Sequence, residues 1–118
     1  MRFMTLLRLD PAKAPEGGPS EELMTEMGKL IEEMKNAGVL LDTGGLRPEE
    51  EGTAVHLARG KQTVLDGPFT EAKEIVGGYF VLQAKSQDEA VEWTSRFLAI
   101  HGDQWELTAQ VRQIEEAE

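Results

Sequence analysis

The segment from Ser20 to Gly38, SEELMTEMGKLIEEMKNAG, constrains this chain more than any other. Leu23, Met27, Leu30, Ile31 and Met34 recur at helical spacing, so a helix formed here is apolar on one side only. Ser20 is placed to cap its start, Glu21 and Glu22 fall in the positive first turn, and Gly38 suits the left-handed position just past its end. A one-sided helix must lay its apolar stripe on another layer. Gly28 sits oddly within it, because glycine inside a helix costs about 1 kcal/mol relative to alanine.

The other layer is legible as strands. RFMTLLRL, Arg2 to Leu9, is an apolar run of strand length that stops at the turn-rich DPAKAPEGGP. VLLDTGGL, Val39 to Leu46, predicts a second strand opening into a Gly-Gly turn. TAVHLARG and KQTVLDGP predict a hairpin connected through Gly60 and Lys61. IVGGYFVLQA, Ile75 to Ala84, is long, aromatic and β-branched, which places it near the middle of a sheet. A second helix follows, with Ser86 as cap and Glu89 completing a capping box. Its apolar side holds Ala90, Trp93, Phe97 and Ile100, and Gly102 ends it. WELTAQVRQI, Trp105 to Ile114, predicts a last strand. The order strand, helix, strand, hairpin, strand, helix, strand predicts one α+β domain over residues 1–118: a ferredoxin-like βαββαβ unit with an added hairpin and both helices on one sheet face. The other face needs cover, and a homodimer supplies it most economically.

Composition narrows the function classes. A formal net charge of -10 argues against nucleic acid, whose backbone is bound through clustered Lys and Arg. Nothing apolar is long enough to span a bilayer, and the N-terminal run is too short for a signal sequence, so no membrane partner is expected. With no cysteine there is no disulfide, thiolate metal site or cysteine nucleophile, which fits a reducing cytoplasm. There is no G-x-S-x-G, and Ser20, Ser86 and Ser95 fall at helix caps or within a helix. His56 and His101 stand apart with no metal-ligand spacing, so neither a metal nor a cofactor is expected.

Chemistry is concentrated in DGPFTEAKEIVGGYF, Asp66 to Phe80. Asp66-Gly67-Pro68 is a turn signal, since glycine accepts positive φ and proline fixes its own. Gly77 and Gly78 predict a bulge or a close backbone approach, or sheet curvature alone. Asp66 is a candidate general acid or base, His56 a candidate partner facing either core or cleft, and Lys73 a counter-charge for an anionic substrate.

This segment closely resembles the hallmark of the YCII-related proteins of the DGPF type. The match runs through Asp66, Gly67, Pro68, Phe69, Glu71, Lys73, Glu74, Gly77, Gly78 and Tyr79. The resemblance implies a dimeric α+β barrel of ferredoxin-like subunits with a cleft between them, and a regulatory association with extracytoplasmic-function sigma factors. Some members of the wider superfamily resemble enzymes built on a histidine and aspartate pair, among them a dehydrochlorinase of a chlorinated hydroxyquinol. Their histidine belongs to the first helix, and this chain has none between Ser20 and Gly38.

Three functional readings follow. The first is a dimer that binds a small molecule in a cleft lined by Phe69, Glu71, Lys73, Glu74, Gly77, Gly78 and Tyr79. The second is a cofactor-free lyase or isomerase in which Asp66, with His56 or Glu71, moves protons. The third is a protein-interaction module acting on a sigma factor through the same loop.

Overall fold

The computed structural model describes residues 1–68 and 74–116. Within them the chain forms β1 (Arg2–Leu9), α1 (Glu21–Asn36), β2 (Leu40–Gly45), β3 (Thr53–Ala58), β4 (Lys61–Asp66), β5 (Ile75–Gln83), α2 (Gln87–Ala99) and β6 (Thr108–Gln113). Four strands make one antiparallel sheet in the order β2-β5-β1-β6, while β3 pairs with β4 alone. This is the expected ferredoxin-like α+β arrangement with an added hairpin, and β5 is indeed a central strand.

Register explains the core. Phe3 lies opposite Leu82 and Thr5 opposite Phe80 across the β1–β5 ladder, so all four point to the same face. Leu30 and Met34 of α1, with Ala90 and Phe97 of α2, close over them, and Phe80 meets Phe97 edge to face at 4.7 Å. Burying each such side chain is worth about 1.5–3 kcal/mol. The one polar pair in this layer satisfies itself: Thr5 Oγ1 and Thr94 Oγ1 are 3.0 Å apart.

The helices start and stop where their caps dictate. Ser20 Oγ accepts from the Leu23 amide and Ser86 Oγ from the Glu89 amide, each at 3.1 Å. Gly38, at φ 75°, turns the chain out of α1, and Val39 N donates to Met34 O at 3.0 Å. Across the helix layer, Arg96 Nη2 donates to Glu33 Oε1 at 2.8 Å, joining α2 to α1.

Three expectations are corrected. The hairpin turns at Arg59 and Gly60, not Gly60 and Lys61: φ is 54° and 78° there, and Lys61 already pairs with Ala58. A two-residue turn that matches strand twist needs positive φ at both positions, and the register with Ala58 sets which two. Gly44 and Gly45 lie inside β2, opposite Tyr79 and Gly78, rather than in a turn beyond it. The last strand begins at Thr108, where pairing with Arg8 begins; Trp105 instead sets its ring edge against His101 at 5.8 Å.

Candidate functional site

Two glycine pairs shape one end of the sheet. Gly77 is the extra residue of a bulge, since Leu7 pairs with Gly78 and Arg8 with Val76. A Cβ on Gly78 would sit 3.0 Å from Gly44 O, and one on Gly77 would sit 2.5 Å from Leu9 Cδ2. At Gly78 two backbones approach closely, whereas at Gly77 the neighbour is the end of the Leu9 side chain. Above them, α1 presents Met24, Met27, Gly28 and Ile31. A Cβ at Gly28 would meet nothing within 4 Å, so the helix leaves open space at that turn.

The result is a groove of about 410 Å³ between α1 and the sheet. Gly44, Gly45, Gly77 and Gly78 form its floor, and Leu7, Met24, Met27, Ile31, Phe80 and Phe97 form its walls. Among the described residues no lining side chain is charged. Its one hydroxyl, on Thr43, is already donated to Tyr79 O at 3.0 Å. Such a surface can enclose a small neutral molecule, with only glycine backbone to offer polar contact. A second hollow, of about 460 Å³, lies against the DGPF turn between Leu9, Pro11, Leu46, Arg47, Pro68 and Ile75.

The opposite sheet face is different in kind. Met4 pairs with Val81 and Leu6 with Tyr79, and all four are only partly buried. Tyr79 lays its ring over Gly44, where a Cβ would lie 3.0 Å from Cε1, and its hydroxyl donates to Asp42 Oδ2 at 3.1 Å. Accepting that hydrogen bond, and then by its charge, Asp42 pushes the Tyr79 hydroxyl above the ordinary value of 10.0. Arg8 shares the face, and its Nε is shielded from solvent with no hydrogen-bond partner among the described residues.

The residues singled out from sequence therefore scatter. Gly77 and Gly78 line the groove, but Tyr79 points to the opposite face. Asp66 ends β4 opposite Thr53 and is exposed; its neighbour Gly67 donates to Gly52 O at 2.9 Å. His56 is exposed on β3 opposite Thr63, three positions from Thr53. Strand alternation thus sends His56 and Asp66 to opposite faces of the hairpin, and they do not converge on one atom. Glu74 is exposed just before β5. Phe69, Glu71 and Lys73 lie outside the described residues. His101 is structural: its Nδ1 is 2.9 Å from Phe97 O, a carbonyl that only accepts, and its ring stacks edge-on with Phe97 and Trp105.

Sequence reasoning missed Met24, Thr43, Gly44 and Gly45 as groove residues and read Met27 and Ile31 only as core. The signal was Gly28, a helix-weakening residue with no structural need, set on the same face as three apolar neighbours. Among the described residues no cluster of His, Asp and Glu could hold a metal ion, and no helix is long and apolar enough to cross a membrane.

Fold and groove together define a two-layer α+β domain with a hollow between helix and sheet whose described lining is uncharged. The model of the YCII-related domain family matches residues 1–106, and the chain belongs to that family. It is 29% identical over 73 residues to the uncharacterized protein R00369 of Rhizobium meliloti (strain 1021), a match that covers 62% of this chain and 59% of that protein. Among solved structures it is similar to a divalent cation tolerance protein (Cut A1) from Thermus thermophilus, with a TM-score of 0.38 and 16% identity, covering 100% of this chain and 88% of the other.

Proposed function

We propose that this YCII-related protein is a homodimer of the DGPF type that binds a small, neutral, largely apolar molecule in the groove between α1 and the glycine floor. The observation that supports it most is the floor itself. Gly28, Gly45, Gly77 and Gly78 each forgo a side chain at the same hollow, and Gly44 lends it backbone, at a cost to strand and helix stability. A packed core has no use for that arrangement.

The described residues bring no carboxylate or imidazole to the groove, which favours a reading of binding over turnover. A binding module also suits the regulatory role beside a sigma factor that the DGPF resemblance implies. The partly apolar sheet face carrying Met4, Leu6, Val81 and the orphaned Arg8 Nε is the surface that a second copy would cover. A cysteine-free chain suits the cytoplasm, where we place it.

A thermal-shift comparison tests the binding reading. Indole and phenol, neutral aromatics, should raise Tm, whereas benzoate should not. At a ligand concentration 100-fold above Kd the gain is about 2.7 kcal/mol. Stabilisation by benzoate alone, or by none of these and no larger neutral ring compound, overturns it.

A further inference from the structure

The β3–β4 hairpin is at odds with its surroundings. Among the described residues its strands pair only with each other, and an isolated two-stranded ribbon is marginal in water without a third strand or a covering layer. Its register places Val55 opposite Val64, with Leu57 two positions along on the same face. These three side chains are 63%, 65% and 65% exposed. Nothing among the described residues of the protomer's body covers them.

The hairpin also stands away from that body. The Cα radius of gyration is 16.1 Å, where a compact chain of this length has about 13.5 Å. The molecule is a slab of 45 × 45 × 18 Å, and β3 and β4 pack substantially on each other and on no other strand or helix. At the tip Arg59 and Lys61 are both exposed, and Asp66 is the only acid between Thr53 and Asp66. This cationic, apolar arm belongs to a chain whose formal net charge is -10. Part of that negative charge lies on α1, where Glu21, Glu22 and Glu32 are exposed and Glu26 pairs with Lys29.

We infer that the hairpin is a clasp: the arm of each protomer lays Val55, Leu57 and Val64 on a second copy of this chain and sets Arg59 and Lys61 against its acidic surface. Charge favours this partner, since the protein's own acidic body complements the basic tip. A two-fold pairing lets each copy give and receive one arm. The inference rests on the homodimer proposed above and specifies which segment makes it.

The test combines sedimentation equilibrium with cross-linking. Wild-type protein should be a dimer, and the triple variant Val55→Ser, Leu57→Ser, Val64→Ser should dissociate at least ~100-fold more readily, given the apolar area removed from each arm. Its far-UV circular dichroism, dominated by the body, should be unchanged. A wild-type dimer that the triple variant matches in affinity overturns the clasp and leaves the homodimer standing. A monomeric wild type overturns both. Should the variant fail to fold, the absence of cysteine allows a benzophenone to be attached to Leu57→Cys alone. In a mixture of ¹⁴N- and ¹⁵N-labelled protein, cross-links from this probe to the other isotope's body support the clasp, and cross-links within one chain only contradict it.

Discussion

The main sheet and the hairpin are built from the same local chemistry and end in opposite circumstances. Both are antiparallel ladders with apolar residues facing each other across the strands. Phe3, Phe80 and Leu82 are at most 1% exposed under the helix layer, whereas Val55, Leu57 and Val64 are at least 63% exposed. Ladder hydrogen bonds largely replace bonds to water, so pairing alone yields little net free energy. What separates the two regions is cover: the body has α1 and α2, and the hairpin has nothing over it among the described residues of its own protomer.

Substitutions that sharpen this contrast should differ most between the two regions. Phe80→Ala removes a ring packed edge-on against Phe97 and should cost about 3–5 kcal/mol in urea unfolding. Val64→Ala should stay within about 0.5 kcal/mol when measured at concentrations low enough to keep the chain monomeric. Similar losses at both sites would mean that the hairpin is packed after all.

A smaller effect probes the polar pair inside the body. Thr5→Val leaves the Thr94 hydroxyl buried without its partner and should cost about 1–3 kcal/mol. Adding Thr94→Val to the same chain should restore much of that loss, because both polar groups are then gone. A double variant as unstable as the sum of the two single ones would remove the hydrogen bond from this account.

The smallest effect lies on the exposed rim. Arg96 holds the Glu33 carboxyl below its ordinary value of 4.5, chiefly through their hydrogen bond. A depressed folded-state value means that the contribution is present above the unfolded value and lost as pH falls through the folded one. The urea midpoints of wild type and Glu33→Gln should therefore differ slightly at neutral pH and converge in acid, with added salt shrinking the gap. A gap that widens in acid would contradict the assignment.

The fold was largely legible because its signals are local. Ser20, Ser86 and Gly38 announce helix ends through their own side chains or lack of one, and the apolar spacing of Leu23 to Met34 reports which side is buried. The site was less so because its geometry is set across strands. The approach of Gly44 and Gly45 to Gly78 depends on the β2–β5 register, and the parting of His56 from Asp66 depends on the β3–β4 register; a single strand's pattern contains neither. Tyr79 shows the same limit from the other side. It follows Gly78 directly in a conspicuous motif, yet strand alternation turns it away from the groove.

The central claim, that the glycine-floored groove is a ligand site, is tested most directly at Gly28. Nothing lies within 4 Å of where a side chain would begin there, so Gly28→Leu can fold while its side chain enters the hollow. In a ¹H–¹⁵N NMR titration with indole, wild-type protein should show shifts centred on residues 24–31, 43–45 and 77–80, and Gly28→Leu should show none. Equal shifts in both proteins, or shifts centred on the hairpin or the DGPF turn, would contradict it.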